Sequence, residues 1–391
     1  MAGLAVLVSA NMAWAGELAA NTNPALFHWQ AFALLPQLGD AEYSADTDYN
    51  KAPLNEAYDK LVGRFDNSFR VIRKGPESQV ECNWGIDFSD GPLACLPHLA
   101  KAKWIAQINA NIRGPYFLRK GKRDNVIAET IAVFKMGRDV ARDGTLLSIL
   151  VQSAVENINV KFIADHFGTF EDSDLQRLAD AVAALPVHLS VKHAMPLERS
   201  SFLTWYKTKL QYFIDHPSAN GALADARDIL VETIGSGEGQ NNVRVPDEII
   251  RDAGGTAQGL IAYLDGLNKW YDEADAVLAF PNAELIGKLD AFGEKIEKTG
   301  SVIAKEFLPA LGKAQRKDFW TQTRLAMLDA ALAYRLHGKA GFDTVKEPVV
   351  EGNFQLTPTS EGFEIRSSLP SEFGPDKEKG KPITLTFTAK K

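Results

Sequence analysis

Asn125–Ile158 reads NVIAETIAVFKMGRDVARDGTLLSILVQSAVENI, and the spacing of its apolar residues decides the fold class. Ile127, Ile131 and Phe134 recur at helical intervals, so Val126 to Ala141 is predicted as one helix. Asp143-Gly144-Thr145 starts a second helix, which runs through Leu147, Leu150, Val151, Ala154 and Ile158. Two apolar stripes joined by so short a turn describe an antiparallel helical hairpin.

The same period extends in both directions. Upstream, Asn23 and Pro24 open a helix carrying Leu26, Trp29 and Ala33, and Pro36 ends it. Tyr58, Leu61, Val62, Phe65, Phe69 and Ile72 share one face of the next, which stops at Gly75-Pro76. Leu99 to Lys120 follows, with a bend expected at Gly114-Pro115. Downstream, Leu175, Leu178, Val182 and Leu185 form a stripe ending at Pro186, and Phe202, Tyr206, Leu210 and Phe213 form another. GSGEGQNN, Gly235 to Asn242, is read as a loop, and helices resume from Pro246 to His337 with a bend at Pro309. The turn Gly121-Lys122-Arg123-Asp124 is of the kind that joins tetratricopeptide helices, but no 34-residue period repeats.

After Gly338 the period becomes two. Phe354–Thr357, Gly362–Arg366 and Ile383–Phe387 alternate apolar with polar residues, as half-buried strands do. The expected fold is therefore mainly α, an irregular stack of antiparallel helical hairpins with a small C-terminal antiparallel β-sheet. Residues 16–337 form the helical domain, and 338–391 a β subdomain leaning on the last long helix, because so few strands need support.

Residues 1–15, MAGLAVLVSANMAWA, are small and apolar, and Ala13-Trp14-Ala15 matches a signal-peptidase site. Export to the periplasm or cell exterior is the expectation. No later unbroken apolar run reaches the ~18 residues of a membrane helix, so no transmembrane segment is expected. A formal net charge of −7 over 391 residues argues against a nucleic-acid backbone as partner.

The chain has two cysteines, Cys82 and Cys95, inside ECNWGIDFSDGPLACLPH. In an exported chain such a pair is expected to bridge, and closing a loop this short contributes roughly 3 kcal/mol. Trp84, Asp87, Asp90 and His98 in this segment form a candidate pocket, with acid–base chemistry as one reading. The other reading is structural: Asp90-Gly91-Pro92 makes a turn, Pro97-His98 opens a helix, and the bridge clasps the loop to the core.

Cys82, Trp84, Gly85, Asp87, Gly91, Pro92, Leu96, Pro97, His98 and Leu99 resemble a segment of uncharacterised exported helical proteins of planctomycete-type bacteria. ARDGTLLSILVQSAVE, the long FLPALGKAQRKDFWTQTRLAMLDAALAYRLHG and EGFEIRSSL are similar to that family's later helices and strand. The resemblance implies a helical fold and export, but no activity. The family's Pro-rich or Asp-Pro loop between last helix and strands is not evident in this chain.

Other motifs fail on their decisive positions. Asp46-Thr47-Asp48-Tyr49-Asn50 begins like a calcium loop, but Lys51 and Ala57 stand where Gly and Glu are required. The seven histidines show no H-E-x-x-H pattern, and most are expected at caps and on the surface. No G-x-S-x-G elbow occurs, and no metal or cofactor is expected. Trp205 and Tyr212, after Glu198-Arg199, form a candidate binding surface should they prove exposed together. The leading functional expectation is a non-enzymatic scaffold or binding protein for a protein or other envelope component. The alternative is a hydrolase with a carboxylate and histidine site near residues 84–98.

Overall fold

The computed structural model describes residues 19–38, 47–234, 244–370 and 381–389. The proposed leader, Asp46, the Gly235–Asn242 loop and the charged run at 375–380 lie outside them. Local chemistry sets the helix starts. The Asn23 side chain accepts from the Ala25 amide at 3.1 Å and Pro24 occupies the first turn of α1 (Pro24–Ala33). Asn55 caps α2 (Glu56–Arg64), which leads directly into α3 (Asp66–Ile72). The cysteine segment then precedes α4 (Pro97–Ile108), a π turn at Asn109–Arg113, and α5 (Gly114–Arg119). The bend expected at Gly114-Pro115 is this π turn, which widens the helix where proline cannot supply an amide.

The predicted hairpin is α6 (Arg123–Val140) and α7 (Leu146–Asp165), with Thr145 capping α7 through the Ser148 amide at 3.1 Å. Beyond it lie α8 (Asp172–Ala183), α9 (Val191–Arg199), α10 (Trp205–Asp215) and α11 (Ala222–Ile234). Next come α12 (Arg244–Asp252), α13 (Ala257–Asp265), α14 (Asn268–Leu278), α15 (Asn282–Glu297) and α16 (Val302–Phe307). Pro309 opens α17 (Pro309–Phe342), whose regular run breaks at Gly338, held at φ 69°. Three strands follow in a meander: β1 (Gln355–Thr359), β2 (Gly362–Pro370) and β3 (Pro382–Thr388), all antiparallel. The chain is mainly α-helical with a small C-terminal sheet.

Helix α7 is the centre of the arrangement, packed against α4, α6, α9, α17 and β3. Ile365, Leu369, Ile383, Leu385 and Phe387 turn inward and join one apolar core with the helices. Phe167, just past α7, meets Phe387 at 5.1 Å between ring centres. The sheet thus leans on α7 and the 167–169 turn as well as on α17.

By length and mean hydropathy (20 residues, 1.3) α7 alone among the described helices could span a membrane, but most of it is buried against its neighbours, as in a core helix, and no clear transmembrane segment emerges. One sequence expectation fails along it: the predicted inward stripe is displaced. Leu147 is 58% exposed, whereas Gln152, Ser153, Glu156 and Asn159 are fully buried. A helix surrounded by neighbours must bury polar positions, which usually find partners. Gln152 and Glu156 do, through Leu189, His188 and Arg138, whereas the Ser153 hydroxyl and the Asn159 amide have no hydrogen-bond partner among the described residues.

Candidate functional site

The structure divides the predicted pocket residues. Asp87 and Asp90 are exposed turn residues. Asp87 accepts the Ser89 amide at 2.8 Å, which holds its carboxyl below the usual range. Trp84 and His98 are buried instead. The Trp84 indole stacks on His98 at 4.5 Å and on His28 at 5.5 Å, and donates to the Asp139 carbonyl at 2.6 Å. His28 binds Asp139 at 2.8 Å, and His98 binds Asp143 at 2.8 Å. Asp143 in turn receives the Thr145 amide at 2.8 Å, coupling the loop to the cap of α7. These residues do not converge on an acid–base site.

The Cys82–Cys95 bridge is not formed. Both thiols are free, Cys82 buried and Cys95 exposed. Burial, with Asp139 nearby, pushes the Cys82 thiol far up, so it carries little thiolate. Trp84 fixes the loop without a covalent link. Gly91 fixes its other end: at φ +57°, a side chain there would meet the Trp205 indole at 2.4 Å. Trp205 donates to the Ser89 carbonyl at 3.0 Å and is only 9% exposed. It therefore leaves the candidate binding surface. Tyr212 is exposed and stacks on His216, so the two predicted residues share no open face.

Most histidines do sit at caps or on the surface: His166 is the C-cap of α7, His193 a cap partner, and His216 and His337 are exposed. The exceptions are His28, His98 and His188. His188 lies in the Pro186–Ser190 connection between α8 and α9. Its Nδ1 donates to Glu156 at 3.0 Å and its Nε2 to Asp318 at 2.5 Å. Glu156 also pairs with Arg138 at 2.5 Å. Burial opposes a charge on His188, but the Glu156 carboxylate and the Asp318 hydrogen bond outweigh it and raise the ring to about 9. Burial likewise opposes charge on Glu156, and His188 and Arg138 overcome it, lowering its carboxyl. Two cations facing two carboxylates make a balanced, largely desolvated quartet.

Neighbouring side chains secure the backbone carrying His188. Arg138 donates to the Pro186 carbonyl at 3.1 Å, and Gln152 donates to the Leu189 carbonyl at 3.0 Å. Gln322 donates to Asp318 at 2.9 Å. Outward of the quartet opens a cavity of about 440 Å³, with His188, Ser190, Lys192, His193, Gln315, Gln322 and Asp329 on its walls and Phe280 at its rim. A second cavity of about 340 Å³, lined in part by Arg138, Gln176 and His337, shares Asp329 and Leu325 with it. Together they form a groove along α17.

Asp329 is the divide between the two. It is accessible to groove water, yet protein walls enclose it, and this partial loss of hydration pushes its carboxyl up to about 6, against the pull of Arg138. It is the one carboxylate lining the groove among the described residues. A larger cavity, about 520 Å³, lies beside Cys82, Lys135, Asp139 and Arg142. Its charges are committed: Lys135 to Asp139 at 2.5 Å and Arg142 to Glu81 at 3.0 Å.

No group of His, Cys, Asp and Glu suited to a metal ion occurs among the described residues. No protein-family model, curated protein or solved structure matches the chain.

Proposed function

We propose that the chain is a non-enzymatic binding protein whose groove along α17 accepts a hydroxyl-rich segment, such as an envelope glycan presents. The proposal retains the export expected from residues 1–15. The carrying observation is Asp329: a carboxylate with no hydrogen bond or ion pair among the described residues, set among amide, imidazole and apolar side chains in a cavity of mixed polarity. Carboxylate, amide and imidazole side chains offer the mixture of donors and acceptors that neighbouring hydroxyls need. Phe280, 37% exposed, supplies an apolar edge.

Hydrolysis fits less well. Glycoside cleavage ordinarily uses two carboxylates flanking the scissile bond. Asp318, the nearest other candidate, is spent on His188, Gln315 and Gln322. Binding without cleavage is what a single available carboxylate supports.

Calorimetric titration of the full chain with chitotetraose and maltotetraose tests this reading. Binding of at least one sugar is expected, weakened about tenfold in Asp329→Ala, the loss of a charged hydrogen-bond partner. Binding should strengthen as pH rises through about 6, because the ionised Asp329 is the better acceptor. No heat with either sugar, or full affinity in Asp329→Ala, overturns the proposal. New reducing ends would favour hydrolysis.

A further inference from the structure

The cysteine segment walls a separate cavity of about 340 Å³ on its inner side. Phe88, Pro92 and Leu96 form one wall, the first turns of α7 another, and Phe202, Tyr271, Leu308 and Leu311 the remainder. This explains why the loop is pinned at both ends. Trp84 anchors one end in the core, and Gly91 seats the other on Trp205. A surface loop held only by side-chain packing is otherwise free to collapse into such a hollow.

The lining is apolar with one exception in charge. Glu198 is its sole ionisable carboxylate, and no Lys, Arg or His lines it. Glu198 accepts the Leu146 amide at 2.6 Å, at the start of α7, and forms no ion pair among the described residues. Its chain neighbour Arg199 does not line the cavity and is held by Asp272 at 2.8 Å and Asn268 at 2.7 Å. Burial, reinforced by Asp143, raises the Glu198 carboxyl despite the Leu146 amide. A partly buried carboxylate facing a largely apolar hollow, with no ion-pair partner among the described residues, is the complement of an apolar cation. Ring faces and such a carboxylate both attract that charge.

We infer that this cavity binds a hydrophobic organic ammonium, its charge against Glu198 and its alkyl or aryl body among Phe88, Phe202, Leu150 and Leu311. The half-open mouth, where Leu147 is 58% exposed, gives the apolar tail a way out to solvent. The site is independent of the α17 groove and uses none of its residues.

Three probes of matched length decide the matter in the full chain: hexyltrimethylammonium, 1-hexanol and hexanoate, each titrated calorimetrically. The ammonium should bind about tenfold more tightly than the alcohol, and hexanoate most weakly. In Glu198→Gln, which keeps an acceptor for the Leu146 amide, the ammonium should fall to the level of the alcohol while the alcohol is unchanged. Equal binding of the three probes, tighter binding of hexanoate, no binding at all, or an unaltered preference in Glu198→Gln each overturns the inference. Should the Gln variant fail to fold, the order of the three probes on the native chain still decides. Binding of the ammonium that Asp329→Ala abolishes would place it in the α17 groove and refute this site.

Discussion

The two buried histidine clusters are built from the same materials and do different work. Around Trp84, the His28 and His98 rings each meet one aspartate and an indole, and each leaves its Nδ1 without a partner among the described residues. Neither ring lines a cavity described above. Around His188, both ring nitrogens meet carboxylates, an arginine balances the second charge, and the ring faces open space. Stacking and a single bond suffice to hold a loop. A double clamp on an imidazolium at a cavity wall additionally fixes a charge where a ligand can reach it. Access, more than burial or hydrogen bonding, separates the clasp from the site.

The comparison breaks most sharply at Trp84. Trp84→Ala removes a core indole, its stacks on His28, Phe32 and His98 and the bond to the Asp139 carbonyl, and should cost about 4 kcal/mol in urea unfolding. Sugar binding in the α17 groove should persist in the fraction that remains folded. A loss below about 1 kcal/mol would show that Trp84 is not the anchor of the loop.

Next in size is the His188 clamp. Its ring is raised to about 9 in the folded chain, against 6.5 for an unconstrained imidazole. A raised folded value means the stabilisation is complete below about pH 6.5 and fades as pH climbs through about 9. The span corresponds to roughly 3 kcal/mol. Asp318→Asn should flatten this slope by removing one of the two carboxylates, and NMR titration of His188 should move downward. A urea midpoint constant from about pH 6.5 to 9 in the native chain would refute the clamp.

Much of the scaffold was legible because single residues enforce it. Pro309, read as a bend, instead divides α16 from α17, and Gly338, read as the end of the helical stretch, breaks the regular run of α17, one lacking an amide, the other accepting a left-handed backbone. Ile383, Leu385 and Phe387 announce β3 by alternation alone. The site was not legible. The stripe Leu147, Leu150, Val151, Ala154, Ile158 assumed that apolar residues face inward, whereas Gln152 and Glu156 of the same helix are buried by partners far along the chain. His188 and Asp318 stand 130 residues apart, Asn157 and Thr321 164 apart. No local pattern encodes such pairings. Cysteine spacing misled for the related reason that two thiols close in sequence need not face each other. The segment around Trp84 did contain a cavity wall, formed by Phe88, Pro92 and Leu96 instead of its aspartates and histidine.

The smallest effect concerns those thiols, and it sharpens the distinction between a covalent and a packed clasp. Cys95 is exposed and Cys82 is buried beside Asp139. Cys95→Ser therefore exchanges one solvated group for another and should shift stability by no more than about 0.5 kcal/mol. Reductant should leave the native unfolding curve unchanged, whereas a bridge closing so short a loop would contribute about 3 kcal/mol that reductant removes. Cys82→Ser should cost more than Cys95→Ser, since it places a hydroxyl in a buried site. An equal, reductant-sensitive loss in both variants would restore the disulfide. Unequal and reductant-insensitive losses leave Trp84 and Gly91 as the fastenings, because stacking and close packing fix a loop in any redox environment.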